Sequence, residues 1–276
     1  MWRKNRLFPP LTPWLAAGLL LALGPFSRGE EASDTSVFGS SKANQNALIG
    51  IFYDLKQNQA REKRPINISI YGKLVDEFLS KGWDESVLNR HFRATRPLYT
   101  TQIFIPLINA SAAPKAFGVE KIVQPSYWLI HYKGQVTAPS DGEWRFWGDG
   151  EEVCSVAVNG KPVLLANWKE ITTPNVGWKS PEPPGRKVAN SHLVAGDWIS
   201  LKKGQVIDLD VLIGERAGGV FCAFLLIEKK GETYDMVDGH PVLPVFQLAP
   251  FDTPQPENLK KGPPIAPRGP VWQVVQ

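Results

Sequence analysis

From about Leu98 the pattern turns to strands, several of them with apolar side chains at every second position rather than every third and fourth. In 205–213, Ile207, Leu209, Val211 and Ile213 point one way and Asp208 and Asp210 the other. A strand with one face on a core and one toward water has this pattern. Strands are predicted at 99–107, 127–137, 142–148, 152–158, 162–166, 197–201, 205–213 and 220–228. Turn residues separate them: Pro139-Ser140-Asp141-Gly142, Asn159-Gly160, Lys203-Gly204 and Gly218-Gly219. Asn-Gly between two apolar strands is a strong hairpin signal. The 24 Gly, 24 Pro, 10 Trp and 13 Phe fit many turns and short strands better than a helical bundle. The expected fold is mainly β, an antiparallel β-sandwich.

Around this block the chain changes character. Ile49, Ile51, Tyr53 and Leu55 alternate and predict an opening strand. Leu74, Val75, Phe78 and Leu79 form the one good helical stripe, with Gly82 as a stop and Asp84 as a second cap. A small helical hairpin is therefore expected at about 69–94, inserted into the sandwich. Residues 167–196 form a long loop, and a loop of that length in a compact domain is usually functional or disordered. The stretch 30–47 is small and polar and is expected to be a flexible leader. The Pro-rich tail 249–276 is expected to be an extended arm. The main domain is placed at 48–248.

Arg3, Lys4 and Arg6 precede the apolar run Trp14–Leu23, followed by Ser27 and Gly29. The run is shorter than the roughly 20 residues a membrane span needs. It reads as a signal peptide over 1–29; an uncleaved anchor is the alternative. Those residues hold Arg3, Lys4, Arg6 and Arg28 and no acid. Of 31 basic residues, removing these four leaves 27, equal to the 27 acidic ones. A nucleic-acid binder would show a basic excess, so nucleic acid is not an expected partner. Export to the periplasm, cell surface or medium is.

GQVTAPSDGEWRFWGDGEEVCSVAVNGKPVLLANW (134–168) runs through a strand, Ala138-Pro139, Gly142, an aromatic strand, an acidic pair, an alternating strand and Asn159-Gly160-Lys161. This order resembles the protective-antigen-type (PA-fourteen) domain, a β-sandwich of toxins, glycosidases and adhesins. GIFYDLKQ (50–57) looks like its opening strand, and 197–230 like its closing ones. In carbohydrate-binding members, two consecutive Asp hold a calcium ion that contacts sugar hydroxyls. By spacing from Asn159, Glu151 and Glu152 stand at those positions, with Asp149 nearby. Glu is one methylene longer than Asp, which moves each carboxylate away from a tight pocket. Calcium is the one cofactor the resemblance implies, and the solvated acidic turn is the other reading.

Trp147, Trp168 and Trp178, with Trp198, lie at strand ends or in the long loop. Exposed indoles stack on sugars or anchor protein partners, and they also pack loops. Trp144 and Trp147 cannot share one face of a regular strand. Cys154 and Cys222 sit in two predicted strands, either bridged, as export permits, or buried as thiols. His91, His131, His192 and His240 have no metal-ligand spacing, and no nucleophile elbow, phosphate loop or zincin motif occurs. The chain is expected to be a non-catalytic recognition or assembly module of the cell envelope. It would bind a protein partner through strand-end loops; the alternative is a carbohydrate-binding module acting on an envelope polysaccharide.

Overall fold

The computed structural model describes residues 34–250 and 262–275. The signal-peptide expectation lies outside the described residues. The elements in chain order are β1 (Leu48–Asp54), α1 (Ile68–Ser80), α2 (Glu85–Leu88), β2 (Leu98–Thr100), β3 (Phe104–Asn109), α3 (Ala112–Ala116), β4 (Trp128–Thr137), β5 (Gly142–Gly150), β6 (Val153–Val158), β7 (Lys161–Leu165), β8 (Ile199–Leu201), β9 (Val206–Glu215) and β10 (Val220–Lys229). Shorter ladders fill the gaps.

Two antiparallel sheets stack. The larger has the order β2-β1-β4-β9-β6-β7, extended beyond β2 by the ladders Thr35–Ser36 and Gly39–Ser40. The smaller pairs β5 with β10 and β10 with β3, while β8 and Val194–Ala195 both pair with β5. Asn159-Gly160 turns β6 into β7, and both residues have positive φ (51° and 74°), as the hairpin signal requires.

Side-chain alternation divides the apolar residues into three layers. Trp128, Ile130, Tyr132 and Val136 of β4 and Ile207, Leu209, Val211 and Ile213 of β9 face inward. They meet Trp144 and Phe146 of β5 and Phe221, Ala223, Leu225 and Ile227 of β10. The outer face of the larger sheet carries Ile51, Tyr53, Leu129 and Leu212, covered by Tyr71, Val75, Phe78 and Leu79 of α1. The outer face of the smaller sheet carries Trp147, Cys222, Phe224 and Leu226, covered by Val188, Leu193, Leu243 and Ile265. The continuous apolar run of β10 follows from this, since a strand buried on both faces cannot alternate with polar residues.

The helical hairpin forms as expected, but its second helix stops at Leu88 and the chain re-enters the sheet through a short ladder at Phe92–Arg93. Asn67 caps α1 by accepting from the Ile70 N–H, and Asp84 caps α2 by accepting from Ser86.

Both flanks depart from expectation. Within the flexible-leader stretch 30–47, Phe38 is buried and stacks on Phe221, and its carbonyl accepts from the Tyr132 hydroxyl at 2.8 Å. In the tail, Trp272 is fully buried against Trp144, Phe146 and Phe246, and Gln273–Val274 adds a short ladder to β4. A single aromatic can place a polar or Pro-rich segment when the core leaves an indole-sized slot. Among the described residues, no helix is long and apolar enough to cross a membrane.

Candidate functional site

The 167–196 loop is tied down at several points. The Trp168 N–H donates to the Glu152 carbonyl at 2.8 Å, and the Ile171 N–H to the Trp168 carbonyl at 2.8 Å. Asn167 Oδ1 accepts from the Cys154 N–H at 3.1 Å and the Ser155 hydroxyl at 2.9 Å. Asn175 donates its backbone N–H and side-chain amide to the Asp76 carboxylate of α1, at 3.1 and 2.5 Å. Trp178 Nε1 donates to Asp197 at 2.9 Å, and the Ser180 hydroxyl to the Ala195 carbonyl at 2.8 Å. A loop with its polar groups met in this way holds a fixed shape.

That shape includes a cleft of about 290 Å³, lined among others by Asn167, Trp168, Thr172, Trp178, Lys179 and Ser180. Trp168 and Trp178 are both half-buried. Two indoles singled out in the sequence for binding thus share one polar-rimmed depression.

Trp147 does not join them. It is 6% exposed on the outer face of β5, its Nε1 donates to Glu228 at 2.6 Å, and the Arg145 guanidinium lies 4.9 Å from its ring centroid. Trp144 is buried too, on the opposite face. Both are packed because both faces of β5 are covered. Trp198 is half-buried beneath the same guanidinium, 4.2 Å from its ring centroid.

The acidic turn is not solvated. Asp149 is 1% exposed and Glu152 5%, while Glu151 is half-buried. Burial pushes the Asp149 carboxyl up to about 7; the Ser191 hydroxyl is near enough to oppose this, outside hydrogen-bond geometry. Burial also raises Glu152 to about 7 against the pull of Arg216. Burial raises Glu151 and Glu215 as well, and Glu215 Oε1 accepts from the Ala217 and Gly218 N–H groups. The Arg216 Nε lies 3.0 Å from a Glu152 carboxylate oxygen, an ion pair without hydrogen-bond alignment, and its NH1 donates to Glu170 at 2.9 Å.

This donor set does not suit calcium, which takes six to eight free oxygen ligands. The oxygens of Glu152 face a guanidinium, those of Glu151 a second carboxyl, and Asp149 is driven toward its neutral form. Among the described residues, no three His, Cys, Asp or Glu side chains are arranged to hold a metal ion.

Cys154 and Cys222 are both buried free thiols. Cys154 belongs to the layer between the sheets and Cys222 to the outer layer beyond the smaller sheet. A backbone sheet separates the two side chains, so a bridge would require a strand to turn over.

Asn167, Glu170, Glu215 and Arg216 escaped the sequence reading. The charged pair Glu215-Arg216, directly after an alternating strand and before Gly218-Gly219, was the available signal.

The sequence matches no family model, and no curated protein is similar to it. Several solved structures are similar in fold. The PA14 sugar-binding domain of an RTX adhesin is 11% identical, with TM-score 0.45, over 73% of this chain and 95% of that one. An anti-sigma factor domain-containing protein from Clostridium clariflavum is 11% identical, with TM-score 0.42, over 78% of this chain. The chain spans 49% of that protein's length. The Epithelial Adhesin 6 A domain from Candida glabrata, solved in complex with Galβ1-3GlcNAc, is 10% identical, with TM-score 0.41, over 69% of this chain and 83% of that one.

Proposed function

We propose that this chain is an exported, non-catalytic recognition module that seats a carbohydrate in the cleft between Trp168 and Trp178. The shared lining of that cleft by both indoles carries the reading. A pyranose has an apolar face of C–H groups and a rim of hydroxyls. It therefore needs aromatic surface and a few polar groups together, and Asn167, Thr172, Lys179 and Ser180 supply the polar part. The cleft's volume, about 290 Å³, falls just below the roughly 300–1,000 Å³ range of small-molecule sites, which suits a single sugar ring. The raised carboxyls of Asp149, Glu152 and Glu215 do not line the cleft, so the reading includes no acid–base chemistry on the ligand.

A glycan array with the wild type, Trp168→Ala and Trp178→Ala tests this. A wild-type signal that falls about tenfold or more in each variant is expected, from the roughly 1–3 kcal/mol that anchoring aromatics commonly contribute. No wild-type signal, or variants that bind as well, would sink the sugar. An envelope protein as partner is the second reading. It is favoured by Met236 and Val237, both exposed on the short hairpin that pairs with His240–Pro241. Co-purification of a stoichiometric protein that Met236→Asp abolishes would support it.

A further inference from the structure

The acidic turn and the long loop meet at one cation that the chain itself supplies. Arg216 follows β9 directly, and its side chain is 9% exposed. One end of the guanidinium faces Glu152 on the acidic turn, whose side chain is 6% exposed, and the other holds Glu170 in the loop. Glu152 is also the residue whose carbonyl receives the Trp168 N–H, and Glu170 lies between Trp168 and Ile171. The charge bridge and the backbone bridge therefore fasten the same short stretch.

We propose that Arg216 is the resident cation of this site. It is a positioning residue that holds the Trp168 wall of the cleft against the acidic turn, in the place where the resemblance implies calcium. Above about pH 7, where Glu152 ionises, its buried carboxylate needs a partner of opposite charge. A planar guanidinium can face two carboxylates at once, as a metal ion does. The cleft then keeps its shape without added metal.

Hydrogen exchange at the Trp168 and Ile171 amides at about pH 8, where Glu152 is charged, tests this. In the wild type, chelator or millimolar calcium chloride should leave both rates unchanged. Arg216→Ala should exchange faster at both amides by about tenfold, as local opening becomes easier. Arg216→Lys, a point charge with a shorter reach, should give intermediate rates. Calcium protection of the wild type, or wild-type rates in Arg216→Ala, would each overturn the proposal. If Arg216→Ala does not fold, Glu170→Gln removes the more exposed partner and should speed Trp168 exchange severalfold; unchanged exchange there would equally overturn it. The inference depends on the cleft reading only for its purpose. A failed glycan array with the exchange results as expected would remove the sugar and leave the tether standing.

Discussion

The outer faces of the two sheets are covered by different means. Over the larger sheet lie α1 and α2, whose backbone groups bond within the helices and whose apolar stripe meets Ile51, Tyr53, Leu129 and Leu212. Over the smaller sheet lie the second half of the long loop and the segments around Leu243 and Ile265. A helix satisfies its own backbone, so its cover is smooth and closed. An irregular cover must find each partner separately, as Ser180 does at the Ala195 carbonyl. The long loop crosses from one cover to the other: Trp168 and Ile171 pack with the layer under α1, Asn175 bonds Asp76 of α1, and Trp178 packs against the core between the sheets. The Trp168–Trp178 cleft lies along that crossing.

The contrast can be broken most forcefully at Phe78. It is fully buried and packs edge-on against Trp83 and His131. Phe78→Ala should cost about 3–5 kcal/mol in a denaturant melt, and the loss should be global rather than confined to the hairpin. A loss below about 1 kcal/mol would mean the helical cover is not part of the cooperative core.

Asp76→Ala should cost less, about 1–3 kcal/mol for two lost hydrogen bonds to a charged acceptor. It should act locally, speeding amide exchange at Asn175 while β4 and β9 stay protected. Uniform loss of protection would show that the irregular cover folds as one unit with the sheets.

Stability should decline from about pH 5 to 8. The native state holds protons on Asp149 and Glu152 up to about 7, and on the Glu151–Glu215 pair, that the unfolded chain releases above its ordinary carboxylate range. A raised acid contributes fully below its unfolded pKa and progressively less as pH climbs through the folded one. His131 acts in the same sense: burial alone would lower it, but Asp210 and Glu85 together raise it, and that contribution fades above its ordinary range. Glu85, drawn down to about 2 first by the His131 ring 3.6 Å away, works the opposite way, but only in acid. Calorimetry should show the midpoint falling by a few degrees, at about 2–4 °C per kcal/mol in a domain this size. Glu215→Gln should flatten the slope. A midpoint that rises over this window would refute the assignment.

The smallest expected effect is none at all. With thiols on opposite sides of the smaller sheet, reductant should change neither the melting midpoint nor the mass of the folded protein. A two-dalton increase on reduction would require the sheets to be arranged differently.

Much of this architecture could be read from side-chain order. The alternation of Ile207 through Ile213 placed β9, and Asn159-Gly160 placed a hairpin. The covers were harder to foresee. The unbroken apolar run from Phe221 to Ile227 signalled burial on both faces, but nothing local named the covering segment. Trp168 and Trp178 were singled out for their residue type, and only three-dimensional tethering brings them to one cleft. The Arg216 bridge joins residues far apart in the chain, and no periodicity encodes such a meeting.

Trp272 closes the molecule. Trp144, Phe146 and Phe246 surround it, and without that indole they would border a hole. Residue 272 leaves the ribosome after every strand it locks together. Until it arrives, those three rings lack their fourth neighbour, so the last packing step waits on a residue far downstream of the strands it joins.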